Sequence, residues 1–321
     1  MEKYDLIILG SGSAAFGAAI KAVDLGAKVA MIEKGIIGGT CVNVGCVPSK
    51  HLLRVGEINY YKNHGHRGLD VSSSLDFDST INEKREIVES LRKGRYIDVI
   101  DALGITLVKG QAVFVSKNEV NVKGRILQSD KFIIATGSSP GILPIEGIDR
   151  IDYLTNVEAM ELSELPESMV VLGGRALGLE FAQMFAHFGT KVTVLQRSQR
   201  IIPEEESIIS DYLKIYLEEK GIICRCSSIP MELVPRAVLA KDTRGLVKMV
   251  IDAKEERILG VHILASLAAD MIHEGVLAVK YGMTIDDIID TVHVFPTMTE
   301  AVKLAAQSFR KDISKMSCCA E

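Results

Sequence analysis

Tryptophan is absent from this 321-residue chain, and the other aromatic residues are few, eight Tyr and nine Phe. Stacking platforms for bases or sugars are built from such rings, so neither is expected. Basic charge is also in deficit: 37 Lys and Arg face 42 Asp and Glu, for a net charge of −5. With no basic stripe along the chain, a nucleic-acid-binding role is excluded. Long apolar runs are missing as well. The longest uncharged stretches, residues 6–20 and 35–49, are studded with glycine and fall short of the ~20 apolar residues that span a bilayer. The opening Met-Glu-Lys-Tyr-Asp places an acid where a signal peptide carries only positive charge, so a cytoplasmic, membrane-free protein is expected. No Cys and His residues have the spacing of a structural zinc site.

The residues that are present describe a folded α/β chain. Apolar residues make up 47% and charged ones 25%, a globular balance, and the length suits about two domains of ~150 residues. The first segment reads as a βαβ start. Apolar Tyr4–Leu9 runs into Gly10-Ser11-Gly12-Ser13-Ala14-Ala15, a small-residue helix extends to about Leu25, and a second strand, Lys28–Ile32, ends in Glu33. Glycines at such a turn let the backbone approach a pyrophosphate at the helix N-terminus, and the terminal acid can bind a ribose hydroxyl.

The unit recurs. Strand Met169–Leu172 leads into Gly173-Gly174-Arg175-Ala176-Leu177-Gly178, a helix to about Phe188, and strand Lys191–Leu195. Two such signatures suggest two nucleotides, as in enzymes that pass electrons from a nicotinamide to a flavin. Arg175 stands where the second glycine belongs, and Gln196-Arg197-Ser198-Gln199-Arg200 replaces the terminal acid. Arg197 and Arg200 read either as ordinary solvated charge or as a 2′-phosphate site; loss of the carboxylate favours the second, hence NADPH. Between the units, Ser79–Leu103 reads as a helix and residues 105–134 as strands. After residue 222, strands are expected near 232–239, 246–252 and 257–264, and helices near 267–282 and 298–309.

Six cysteines fall in pairs, at 41 and 46, 224 and 226, and 318 and 319, which in a reducing compartment suggests redox chemistry or soft-metal binding. The first pair lies in Gly38-Gly39-Thr40-Cys41-Val42-Asn43-Val44-Gly45-Cys46-Val47-Pro48-Ser49-Lys50. Pro48 suits the first turn of a helix running towards Tyr61, which puts Cys46 at or near its cap, where the helix dipole favours a thiolate. Cys224 and Cys226 read as packed strand residues.

This loop resembles the redox-disulfide motif of the class I pyridine nucleotide-disulfide oxidoreductases, which include dihydrolipoamide dehydrogenase, glutathione reductase and mercuric reductase. The resemblance implies a Rossmann-like FAD-binding domain, an NAD(P)-binding Rossmann-like unit and a C-terminal α+β dimerisation domain. It also implies a Cys41–Cys46 redox disulfide, with Cys46 next to the flavin, Cys41 as the interchange thiol, and Lys50 paired with Glu180. Gly10, Gly12, Ala15, Glu33, Gly35, Thr40, Lys50, Ala112, Thr136 and Gly137 would contact FAD; Gly173 and Gly178 would carry NADPH. The family's catalytic histidine position is taken by Phe295, followed by Glu300, so the general base for disulfide substrates is missing; His293 is read as structural.

Lys303-Leu-Ala-Ala-Gln-Ser-Phe309 and the tail Met316-Ser-Cys-Cys-Ala-Glu321 are similar to the mercuric reductase C-terminus. That likeness implies Hg(II) as the substrate, held by Cys41, Cys46, Cys318 and Cys319, in a homodimer. Compared with the family, a block of domain size is missing at about residues 221–224, and no Gly-Asp dipeptide occurs. The expected division is 1–145 for FAD, 146–222 for part of the NADPH site, 223–309 for part of the dimerisation domain and 310–321 for the thiol tail. A lipoamide-type disulfide reductase and an inactive thiol- or FAD-binding homologue are the alternatives.

Overall fold

In a computed structural model, residues 2–64, 74–142, 144–198, 200–218, 229–252 and 255–313 are described. The elements run, in order, β1 (Glu2–Lys3), β2 (Leu6–Leu9), α1 (Ser13–Asp24), β3 (Val29–Glu33), α2 (Gly39–Val44), α3 (Cys46–His64) and α4 (Phe77–Arg92). After a π-helical turn at Lys93–Ile97 come α5 (Asp98–Ala102), β4 (Thr106–Lys109), β5 (Ala112–Ser116), β6 (Glu119–Val122), β7 (Arg125–Gln128), β8 (Phe132–Ile134) and α6 (Asn156–Ala159). Then follow β9 (Ser168–Leu172), α7 (Ala176–Phe188), β10 (Lys191–Leu195), α8 (Ser207–Glu218), β11 (Ile229–Pro230) and α9 (Pro235–Leu239). The chain ends in β12 (Leu246–Ile251), β13 (Ile258–Leu264), α10 (Ala268–Tyr281), α11 (Ile285–Asp290) and α12 (Glu300–Gln307). These elements fall into two compact units, the first comprising residues 1–63, 71–169 and 184–192 and the second the remainder.

The first unit is layered. Its parallel sheet has the order β4-β3-β2-β8, with Ile8 beside both Met31 and Ile133. Strand alternation sends Ile8, Val29 and Met31 to one face, where they bury against Ala15, Phe16 and Ala19 of α1. Ile7, Leu9, Ala30 and Ile32 point to the other face and pack against Val120, Val122 and Leu127 of a second sheet, β1-β7-β6-β5. An apolar strand with no polar face is the expected consequence of burial on both sides. The helix read from Ser79 to Leu103 forms as α4, the π-helical turn and α5. It begins two residues earlier because Asp76 caps it, accepting from the Ser79 amide at 3.0 Å.

β9 and β10 form a two-stranded sheet among the described residues. The antiparallel sheet β11-β12-β13 packs on α10, α11 and α12 around Met249, Ile258, Met271, Ala278, Ile288 and Val302. Gly275 lets α10 lie close to this sheet, since a Cβ there would sit 2.9 Å from Val261. The strand expected at 232–239 is not formed. Met231–Leu233 makes a 3₁₀ turn and Pro235 starts α9, because proline cannot donate to a ladder but suits the first helical turn. Helix α11, which the sequence reading did not anticipate, starts from a capping box of Thr284 and Asp287.

Gly245 joins α9 to β12 with φ +130°, and a Cβ there would fall 1.8 Å from the Leu264 carbonyl oxygen. Gly245→Ala is expected to destabilise this unit by about 2 kcal/mol or more, read as a lower urea midpoint with an unchanged slope.

Candidate active site

The carboxyl ends of β2, β3 and β8 meet at one edge of the parallel sheet, where open α/β sheets bind ligands. Gly10 leaves β2 with φ +111°, its N–H donates to the Ile32 carbonyl at 2.8 Å, and a Cβ there would lie 2.1 Å from the Ala135 carbonyl oxygen. Only glycine fits. Gly12 is the N-cap of α1, with no side-chain cap hydrogen bond and no acid in the first turn. The first amides of α1 are therefore uncapped by any side chain, which suits a pyrophosphate. Ala15 is buried beneath that turn, against the sheet.

Glu33 closes β3. Its carboxylate accepts from Ser11 Oγ at 2.6 Å and from the Gly35 amide at 2.6 Å, and each oxygen keeps a second lone pair for a ribose hydroxyl. Thr136 and Gly137 follow β8 at the same end of the sheet, and Ala112 opens β5 just beyond β4. These features fit a dinucleotide such as FAD on this unit.

The cysteine loop is bound directly to this turn. The Gly38 amide donates to the Ser11 carbonyl at 3.1 Å. A Cβ on Gly39 would fall 2.6 Å from Gly12 Cα, so glycine at 39 is required for the backbones to touch. Thr40 and Cys41 lie in α2, which ends at Gly45, where a Cβ would meet the Thr40 carbonyl oxygen at 2.9 Å. The tight return brings Cys46, first residue of α3, beside Cys41. Both are free thiols, Cys41 half-buried and Cys46 exposed. The hydrogen bond to Cys46, then burial and charge at Cys46, push the Cys41 thiol above the ordinary thiol range.

Sequence reasoning missed three residues that brace this loop. Asn43 Nδ2 donates to the Ile37 and Gly39 carbonyls at 2.9 and 2.8 Å, while Asn43 Oδ1 accepts from Arg92 at 2.9 Å. Asn156 donates to the Val44 carbonyl at 2.9 Å. Asn43 stood inside the motif, and an amide flanked by glycines was the available signal; Arg92 and Asn156 are remote in sequence. Lys50 lies one turn beyond Cys46 on α3 in the first unit, and Glu180 lies on α7 in the second.

The second glycine turn reproduces the first with altered chemistry. Gly173 has φ +112°, and a Cβ on Gly178 would sit 2.0 Å from the Gly173 carbonyl oxygen. Gln196 accepts from the Gly174 amide at 2.9 Å. The hydrogen-bonded pairs Ser11–Glu33 and Gly174–Gln196 are each separated by 22 residues, so a neutral amide stands where the first turn has a carboxylate. Arg175 pairs with Glu204. Arg197 is exposed, Arg200 is half-exposed, and neither guanidinium has an acidic partner among the described residues.

Phe295 is exposed in the segment between α11 and α12, which also holds His293. Cys224, Cys226, Cys318, Cys319 and the junction at 221–224 lie outside the described residues. Among the described residues, no three His, Cys, Asp or Glu residues form a metal cluster, and no helix is long and apolar enough to cross a membrane.

Two glycine turns, one braced against a dithiol, define the class: a two-nucleotide redox protein with a cysteine pair beside its first dinucleotide turn. The family model for pyridine nucleotide-disulphide oxidoreductases matches residues 4–276, and the chain belongs to that family, as a mercuric reductase-like member. The mercuric reductase of Lysinibacillus sphaericus is 32% identical over 463 residues, covering 99% of this chain and 85% of the relative. That of Staphylococcus aureus is 31% identical over 461 residues, covering 99% and 84%. Because the chain has only 321 residues, well over 100 positions of each relative fall opposite gaps. The HOCl-induced flavoprotein disulfide reductase RclA from Escherichia coli shares the fold, with a TM-score of 0.84 at 21% identity, covering 96% of this chain and all of that one.

The thiol geometry sets an order of reactivity. With limiting iodoacetamide at neutral pH, peptide mapping should find Cys46 alkylated before Cys41. Alkylation of Cys41 should gain on it only as pH rises above the ordinary thiol range.

Proposed function

We propose that this chain passes two electrons from NADPH to Hg(II), releasing Hg(0), with Cys41 and Cys46 as the thiols that hold the metal for reduction. The observation that carries this reading is the Cys41–Cys46 contact at the start of α3, in a loop fastened to the Gly10–Gly12 turn. The mercuric reductase relatives support the choice of substrate. Thiolate sulfur is a soft donor suited to a soft ion, and each thiol that binds Hg(II) releases its proton.

FAD, when bound, supplies the hydride-accepting and electron-passing chemistry between nucleotide and sulfur. Gly10, Gly12, Ala15, Glu33, Gly35, Thr40, Lys50, Ala112, Thr136 and Gly137 would hold it. Gly173 and Gly178 would admit the second dinucleotide. Gln196 carries no charge to repel a 2′-phosphate, and Arg197 and Arg200 have no acidic partner among the described residues, so NADPH is favoured over NADH. Cys318 and Cys319 would deliver the metal from a second subunit of a cytoplasmic homodimer, and Phe295 would sit beside its path. Phe295 can neither accept nor return a proton, which weighs against a disulfide substrate.

A second reading, a homologue that binds metal or flavin without turnover, is favoured by one observation. Strand β8 is the edge of its sheet, with Ile134 68% exposed, and Val170 of β9 is 59% exposed. Parallel strands are ordinarily covered on both faces.

One preparation separates the readings. FAD-loaded protein should show a flavin absorbance band and oxidise NADPH in an Hg(II)-dependent way. Cys41→Ala or Cys46→Ala should abolish the oxidation without bleaching the flavin. A flavin-loaded wild-type protein with no Hg(II)-dependent oxidation would sink the reductase reading. Arg197→Ala with Arg200→Ala should raise KM for NADPH about tenfold and leave that for NADH unchanged, the loss expected of charge-assisted contacts.

A further inference from the structure

His293 is turned inward from an otherwise exposed stretch, residues 291–296. Its side chain is 8% exposed, whereas its neighbour Val292 is 90% exposed, and Val294 and Phe295 are exposed too. His293 Nδ1 lies 3.0 Å from the Thr291 carbonyl oxygen, and Nε2 lies 2.7 Å from Glu274 Oε1 of α10. A carbonyl only accepts, so Nδ1 carries a proton, and a carboxylate on Nε2 makes the ring a two-fold donor. Lys303 of α12 donates to the same Thr291 carbonyl at 3.3 Å. Glu300 of α12 lies within electrostatic reach of the imidazole, and its Oε2 is buried without a hydrogen-bond partner among the described residues.

We propose that His293, through its bonds to Glu274 and to the Thr291 carbonyl, is the positioning residue of segment 291–299 and so of Phe295. It ties the segment to α10 from one side, while Lys303 holds the same carbonyl from α12. The inference about the segment stands on this geometry; its bearing on turnover rests on the reductase reading above.

The tie is charged, so it titrates. The bond to Glu274 holds the His293 pKa above the ordinary imidazole range against its burial, with the Thr291 carbonyl assisting. Lys303 opposes the imidazolium. Glu300, pushed above the ordinary carboxylate range by burial, attracts the imidazolium once ionised. A raised folded pKa means the tie is complete below the unfolded value and is lost as pH rises through the folded one. The segment is therefore held by both bonds while the imidazole is protonated and by only one of them once it is neutral.

Hydrogen exchange of the 291–299 peptide in the full-length protein tests this, with rates at each pH referenced to an unstructured peptide. Exchange in the wild type should be slow at acid pH and roughly tenfold faster once the imidazole is neutral, the loss expected of a charged hydrogen bond. Glu274→Gln should move that rise to lower pH, and His293→Gln should give fast exchange with no pH step. The peptide covering α11 should change in neither variant. A wild-type segment with no pH step, or a His293→Gln protein that keeps it, overturns the proposal. The readout needs neither NADPH nor Hg(II). A pH step present in a protein that does not oxidise NADPH upholds the positioning role and counts against the reductase reading alone.

Discussion

The contact of Gly39 on Gly12, backbone against backbone, is the constraint on which the first unit's chemistry depends. It brings the loop that carries two thiols onto the turn proposed to receive a dinucleotide, with no side chain between them. Each glycine is required by a different neighbour: Gly10 by the Ala135 carbonyl, Gly39 by Gly12, and Gly45 by Thr40. Close approach of this kind fixes distance by excluded volume, which is stiffer than any hydrogen bond. The hydrogen bonds of Asn43, Arg92 and Asn156 then hold the loop's orientation. A thiol pair placed this way is asymmetric, since contact with Cys46 and burial raise the Cys41 thiol.

The second unit repeats the architecture with different chemistry. At equal spacing, Ser11–Glu33 is answered by Gly174–Gln196, so one turn offers a carboxylate and the other an amide. That exchange alters what each turn repels more than what it attracts, which is how related sites come to choose between similar ligands. Apolar β9 and β10 residues are left at the surface, where parallel strands are usually covered. The relatives carry well over 100 more aligned positions than this chain has residues to match.

Much of this was legible from sequence because the relevant signals are local. The boundaries of α1, α7 and β10 fell within a residue of those read from periodicity and glycine placement. Failures occurred where a local signal was overruled or had a second meaning. Apolar residues at 232–239 looked strand-like, but Pro235 started a helix. Thr284 and Asp287 announced α11 through a capping box that the reading passed over. Gln196 was noted as a missing acid, and its bond back to the glycine turn was not foreseen.

The sequence by itself determined the family, the two glycine turns and the cysteine pair, because each is a short pattern whose residue types follow from covalent geometry and charge. Tertiary structure alone decided that the Cys41 thiol is raised by its contact with Cys46 and by burial, which remote side chains brace the loop, and that His293 faces Glu274 while its neighbours face outward. Those outcomes depend on distances between residues far apart in the chain, and such distances exist only after the layers have packed.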